Sequence, residues 1–162
     1  MTSRTRDEFL VLSQTLCVYH AQSFLVFFDF AANRQLLTYH NANPSKAYRA
    51  LAYDPERSRL YAGEGNCKHG EIQVFGVRMH SGSVQLELQM VLRGHKYGVS
   101  QISLVASDVL VTVGDSNDRG MLVWEVVSPR LVSANMKKAG MILGVCKVRG
   151  GENELKFLSY GT

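Results

Sequence analysis

The stretch from residue 92 to residue 124 constrains the fold more than any other part of the chain. Leu92-Arg93-Gly94-His95-Lys96-Tyr97-Gly98-Val99 leads into Val111-Thr112-Val113-Gly114, and Asp118 then stands six residues before Trp124. A Gly-His pair opens the unit and a β-rich run follows. The spacing puts Asp118 in a turn between two strands and Trp124 inside the second of them, Met121 to Val126. From that turn Asp118 can accept a hydrogen bond from the imidazole of His95, with Thr112 and Trp124 completing the network. A buried polar network of this kind is favourable only if every member is satisfied.

The rest of the chain reads as short β runs between turn residues. The candidates are Phe9–Leu12, Leu16–Tyr19, Phe24–Phe30, Gln35–Tyr39, Tyr48–Tyr53, Arg59–Ala62, Glu71–Val77 and Val84–Leu92. After His95 come Val99–Val105, Val109–Val113, Met121–Val127, Leu131–Ala134, Met141–Val148 and Leu155–Ser159. Asn33 and Asp54-Pro55 mark turns, and no helical stripe exceeds two turns. Many short strands at regular spacing mean a sandwich, a barrel or a propeller. An internal repeat decides among these. Phe24–Asp29, Glu71–Gly76 and Met121–Glu125 are equivalent apolar strands ending in an aromatic, each followed by a turn and an outer strand. His40 and His95 fall at matching points where the chain enters a blade. The period is roughly the 40–50 residues of a propeller blade. The expected fold is therefore all-β, a β-propeller holding about three blades: one about 8–39, a second about 46–92, a third about 97–134, and the start of a fourth about 139–162. Propellers usually close with four to eight blades. The chain thus reads as a partial ring with exposed sheet faces at both ends. A propeller blade is a scaffold for binding, which points away from catalysis.

Composition agrees with a single globular unit. The chain has 162 residues, 46% hydrophobic and 20% charged, enough for one domain with a real core. The net charge of +4 permits an acidic partner without demanding one. Lysines and arginines are scattered, without the dense run of a nucleic-acid arm, so no nucleic-acid partner is expected. Cys17, Cys67 and Cys146 are odd in number and far apart, which fits a reducing, cytoplasmic setting. Met1 to Glu8 mixes Arg4 and Arg6 with Asp7 and Glu8 and lacks a following apolar stretch, so no signal peptide is expected. Phe24-Leu25-Val26-Phe27-Phe28 is far too short to span a bilayer and reads as a buried strand; no membrane partner is expected.

Other constellations carry weaker chemistry. His95, Thr112 and Asp118 have the residue types of a catalytic triad, but no Gly-x-Ser-x-Gly elbow accompanies them, and a structural network inside a blade is the expectation. Gly63–Gly70 is glycine-rich with one lysine, yet lacks the terminal Gly-Lys-Ser/Thr of a phosphate loop; it reads as a long turn between strands. Cys67 with His69 lacks a second pair of metal ligands. Asp108, Asp115, Asn117 and Asp118 do not follow the alternating pattern of a calcium loop. No catalytic residue, metal or cofactor is therefore expected. Lys137, Lys138, Lys147, Arg149 and Lys156 form the densest basic group, suited to an acidic surface such as a tubulin tail and diluted by Glu152 and Glu154. Tyr97 follows His95 and is a candidate interface anchor at the top of the ring. Tyr53, Tyr61 and Tyr160 read as core or strand residues.

From about Leu36 to Thr162 the chain resembles WD-repeat proteins. It most resembles the family of mitogen-activated protein kinase binding protein and its microcephaly-associated paralogue, both kinase scaffolds. The resemblance rests on Ala50-Leu51-Ala52-Tyr53-Asp54-Pro55, Ala62-Gly63-Glu64, His95-Lys96-Tyr97-Gly98-Val99, and Thr112-Val113-Gly114 with Asp118 and Val123-Trp124. The last group carries a two-residue lengthening of the usual turn, which that branch shares. Val18 to Tyr39 looks like the preceding blade. The echinoderm microtubule-associated protein-like group and several ciliary WD-repeat proteins share much of the pattern. The sequence also departs from it. No glycine precedes His40, Phe75 replaces the usual tryptophan, and Lys68 or His69 stands where the turn aspartate would, so the second blade is expected to lack the polar network. No kinase-docking segment carries over, because in such scaffolds it lies outside the propeller. The resemblance implies a non-catalytic scaffold with kinase-pathway or centrosomal partners, in the cytoplasm or at the centrosome. The alternative is a microtubule-binding or ciliary structural protein. Further blades, in cis or in trans, would complete the ring.

Overall fold

The structure is a computed structural model that describes residues 9–118, 120–127, 130–135, 142–148 and 156–161, with the backbone alone at 135, 142–148 and 156–161. Fourteen strands and no helix occur among the described residues. Phe9–Val11 (β1), Leu16–Ala21 (β2), Phe24–Asp29 (β3) and Arg34–His40 (β4) form one antiparallel sheet. Ala47–Asp54 (β5), Arg59–Gly65 (β6), Ile72–His80 (β7) and Ser83–Leu92 (β8) form a second. Val99–Ala106 (β9), Val109–Gly114 (β10), Met121–Glu125 (β11) and Arg130–Asn135 (β12) form a third. Ile142–Val148 (β13) pairs with Lys156–Gly161 (β14). Strand order follows sequence order in every sheet. The first strands of successive sheets adjoin: β5 contacts β9, and β9 contacts β13. They make the inner edge, and the fourth strands lie outermost.

Strand composition follows from this placement. β6 and β10 are buried along almost their whole length, because another sheet covers each of their faces. The outer β8 exposes Gln85, Glu87 and Gln89, polar side chains suited to an open sheet edge. Tight turns need left-handed backbone, supplied at Gln22, Asn33 and Ser58 with φ of 52°, 50° and 51°. Asn33 stands in the turn where the sequence marks it.

The hydrophobic core lies between sheets. Val18, Leu25 and Phe27 pack against Leu60, Ala62, Phe75 and Val77. Tyr61, Val74 and Ile72 pack against Val99, Ile102, Leu110, Leu122 and Trp124. Val105, Val111 and Val113 cluster on the far side of the third sheet. No sheet buries its own face, so each depends on its neighbour, the energetic signature of a repeat architecture.

The repeat also appears as a repeated irregularity. Between the third and fourth strands the register slips at Phe27/Phe28, at Val74/Phe75 and at Val123/Trp124. Each bulge sits immediately before the aromatic that ends the motif strand. A second slip recurs in the first strand, between Tyr48 and Ala50, between Val99 and Gln101, and between Ile142 and Gly144. β13 and β14 therefore repeat the first two strands of the other sheets. A bulge bends and twists its strand locally; its recurrence in each sheet is a structural repeat that hydrophobic periodicity does not encode.

Candidate functional site

The polar centre of the third sheet is a chain of hydrogen bonds. Trp124 Nε1 donates to Thr112 Oγ1 at 2.9 Å, and the Thr112 hydroxyl lies 2.8 Å from His95 Nε2. His95 Nδ1 lies 3.2 Å from Asp118 Oδ2. With neutral His95, the Thr112 hydroxyl accepts from Trp124 and donates to Nε2, and Nδ1–H donates to the carboxylate, so every polar side-chain group from Trp124 to Asp118 has a partner. Asp118 also accepts the backbone N–H of Tyr97 at 3.1 Å and of Gly120 at 3.1 Å, tying the loop before β9 to the turn after β10. The glycines beside these groups make room for them. A Cβ on Gly94 would meet Leu122 Cδ1 at 2.8 Å and the Trp124 ring at 3.1 Å. One on Gly114 would lie 2.5 Å from Asp118 Cβ.

Burial pulls the His95 pKa below its ordinary value of 6.5, against the opposing charge and hydrogen bond of Asp118. The folded chain thus binds a proton on His95 less readily than the unfolded chain does. Stability from this group is complete above pH 6.5 and falls as the pH drops below it towards the lowered folded value. His95→Gln should flatten that part of the stability–pH curve. The check is the thermal midpoint of both chains between pH 7.5 and pH 5; parallel curves would remove His95 as the titrating group.

The second sheet differs from the sequence-based expectation. His40 does not repeat His95: it ends β4, is exposed, and stacks edge-on against Phe24 with ring centroids 4.6 Å apart. The next residue, Asn41, is the buried one. The sheet has a polar network of its own, made of other residues. Asn41 Nδ2 donates to Glu64 Oε1 at 2.9 Å, Gln73 Nε2 to the same oxygen at 3.3 Å, and Tyr48 OH to Gln73 Oε1 at 2.5 Å. Glu64 Oε2 accepts Lys46 Nζ at 2.8 Å and the backbone N–H of Glu71 at 3.1 Å. Ladder register explains the exchange. Ala62 stands where Thr112 stands, removing the hydroxyl; Gln73 replaces Leu122, and Glu64 replaces Gly114. The Lys68 and His69 side chains are exposed, and His69 joins the network through its backbone carbonyl, which accepts Lys46 Nζ at 3.2 Å. Burial foremost pushes the Tyr48 hydroxyl far above its usual range, so it stays a donor. Burial also pulls Lys46 down, but the hydrogen bond and charge of Glu64 outweigh it and hold the ammonium above its usual pKa.

The remaining candidates find ordinary surroundings. Asp115 Oδ1 accepts the backbone N–H of Asn117 at 2.9 Å and of Asp118 at 3.2 Å, and Oδ2 that of Gly98 at 3.1 Å. Its oxygens are thus engaged by the turn and by the loop before β9. Cys67 is a free, half-buried thiol whose pKa is raised by burial and by the nearby Glu64. No group of three or more metal-ligating side chains occurs among the described residues. Tyr97 is half-buried, with Lys96 Nζ 5.8 Å from its ring centroid. Tyr61 is wholly buried. Lys137, Lys138 and Arg149 lie outside the described residues, as do the side chains of Lys147, Lys156 and Tyr160. No helix among the described residues is long and apolar enough to cross a membrane.

Four-stranded antiparallel blades in sequence order, a shared inner edge and cores between sheets define a β-propeller of WD-repeat blades, present as a partial ring of about three. A chain in a crystal structure of a mitotic checkpoint complex, itself a WD-repeat propeller, has this fold, with a TM-score of 0.66 and 16% identity over 92% of this chain and 48% of that one. At that identity the likeness shows the fold, and the chain spans about half the length of this neighbour. No protein-family model matches the chain, and neither does any curated protein.

Proposed function

We propose that the chain is a non-catalytic protein-interaction scaffold whose partner docks where the loops 66–71 and 93–98 meet. One observation carries the reading. The groups with triad chemistry, His95 and Asp118, have wholly buried side chains engaged with each other. Two loops joined by backbone hydrogen bonds, His69 N to Lys96 O and Gly70 N to Tyr97 O, both 2.9 Å, bring exposed basic groups together. Lys68, His69 and Lys96 are exposed in the loops that carry the half-buried Tyr97, and the exposed Arg93 is paired with Glu71 at 2.7 Å. Basic side chains around an aromatic anchor suit an acidic protein segment. The resemblance of His95–Val99 and of Thr112–Trp124 to kinase scaffolds supports mitogen-activated kinase-pathway or centrosomal partners in the cytoplasm.

The test is affinity capture from cytoplasmic lysate with the native chain and the double variant Lys96→Glu/Tyr97→Ala. Pathway kinases or centrosomal proteins held by the native chain should fall at least tenfold on the variant, with the thermal midpoint unchanged. Capture insensitive to the variant would overturn the docking surface. Salt-sensitive co-sedimentation with microtubules in place of kinase capture would favour the cytoskeletal alternative suggested by the basic group at 137–156.

A further inference from the structure

The second blade carries a hairpin extension that the first and third blades lack. Ladder register puts Leu16–Asp29, Arg59–Gly76 and Val109–Glu125 at one position of the repeat, the last at which the second strand pairs with the third. In the first and third blades the third and fourth strands also part there, after Asp29–Arg34 and Glu125–Arg130. In the second blade they run on through Val77–Leu86, Arg78–Gln85, Met79–Val84 and His80–Ser83, as a two-stranded ribbon. Val77 and Val84, 3% and 8% exposed, anchor the ribbon in the core. Residues 78–83 are all exposed. A two-stranded ribbon by itself is marginally stable, so its tip can open locally while the blade stays folded.

Ser81 and Gly82 form the tip, and the charge around them has one sign. Residues 77–86 include Arg78 and His80 and no carboxylate. Arg34, on β4 of the preceding blade, reaches over the tip. Its Nη2 donates to Gly82 O at 3.2 Å, and a Cβ on Gly82 would lie 2.7 Å from that nitrogen. Arg34 is exposed and has no carboxylate within salt-bridge distance among the described residues. A guanidinium has five N–H donors, and one bond to a carbonyl leaves most of them for a further acceptor. Arg78, 71% exposed, holds Glu87 only at 3.8 Å. An arginine stands three residues before two serines of the sequence, Ser81 and Ser133. Kinases that choose basic substrates read such a charge pattern. Ser133 is paired with Val123 inside β12, whereas Ser81 stands in an exposed turn.

We propose that Ser81 is a phosphorylation site for an arginine-directed serine/threonine kinase, and that Arg34 of the neighbouring blade holds the phosphate. In the transfer, Ser81 Oγ forms a bond to the γ-phosphorus of ATP. The bond from that phosphorus to the β,γ-bridging oxygen breaks, ADP leaves, and the hydroxyl proton passes to the base of the kinase. The product carries about −1.5 to −2 charge and three acceptor oxygens. Beside a guanidinium these form charge-assisted, bidentate hydrogen bonds. The phosphate thereby straps the outer strand of the first blade to the ribbon of the second, across the groove lined by Leu37, Tyr39, Val84 and Leu86. The loop 66–71 enters β7 and the ribbon leaves it, so this site lies at the other end of the strand from the docking surface proposed above and does not depend on it.

Incubation of the 162-residue chain with calcium–calmodulin-dependent protein kinase and magnesium ATP tests the site, with mass spectrometry of the digested product to locate the phosphate. Phosphate is expected on Ser81. Ser81→Ala should abolish it, Arg78→Ala should slow it at least tenfold, and Ser83→Ala should leave the rate unchanged. No phosphate on Ser81, phosphate on Ser133 in its place, or a rate indifferent to Arg78→Ala would overturn the site. Phosphorus NMR on the phosphorylated chain tests Arg34. A phosphoserine takes up its proton at about pH 6, and a neighbouring cation favours the dianion. The titration midpoint should therefore rise by about half a unit or more in Arg34→Gln. Equal midpoints in the native chain and Arg34→Gln would overturn the strap between the blades.

Discussion

Trp124→Ala is expected to lower the unfolding free energy by about 3–5 kcal/mol, the largest effect of any single substitution in the third blade. Two losses combine. The indole is 3% exposed and fills the junction between the second and third blades with Tyr61, Val74 and Leu110, so truncation opens a cavity where neither sheet can collapse freely. The Nε1–H bond to Thr112, 2.9 Å long, also goes. Trp124→Phe separates the two, keeping most of the packing and dropping the donor. Its cost should be nearer 1–2 kcal/mol, from a hydroxyl left one partner short and a smaller ring. Urea unfolding at fixed protein concentration measures both, because association would make apparent stability depend on concentration. An alanine variant within about 1 kcal/mol of the native chain would mean that the blade junction is not held by this ring.

Lys46→Met should cost about 2–3 kcal/mol. Glu64 is 1% exposed, and Lys46 is the only cation within salt-bridge distance of it among the described residues. Removing one partner of a buried ion pair typically costs about 3–5 kcal/mol, because the other charge stays buried and unpaired. Here the figure is lower, since the Lys46 side chain is one-fifth exposed, water can reach the vacated site, and three N–H donors still face the carboxylate. The double variant Lys46→Met/Glu64→Gln removes both charges together and should recover more than half of the loss. Chemical denaturation of the three chains decides it. A double variant no more stable than Lys46→Met would show that the loss does not come from a stranded Glu64 charge.

These two sites differ in how far they can be read from residues alone. The third blade advertises its network: Gly-His before the first strand, Thr in the second, and Asp six residues before Trp in the third are residue types at a spacing that local turn geometry translates into proximity. In the second blade the same local reading finds Phe75 and Lys68 and expects no network. Its polar centre is assembled from Asn41, Lys46, Tyr48, Glu64 and Gln73, five side chains on four segments, none at the motif's spacing. The available signal was Glu64 and Gln73 in otherwise apolar strands, polar residues that need partners if buried. Their partners were legible only once strand register was known.

The sequence by itself determined the strand pattern, the turn at Asn33, the period of the blades and their number. These depend on local alternation and on turn residues that act within a few positions, and all fourteen strands lie where the pattern puts them, to within a few residues at the ends. Tertiary structure alone decided what each strand faces. The recurring bulges ahead of Phe28, Phe75 and Trp124 and the move of the second blade's polar centre to Glu64 both depend on which sheet packs against which. A ladder slip of one residue turns a side chain from one neighbour to the other, and no short-range pattern in the chain encodes that choice.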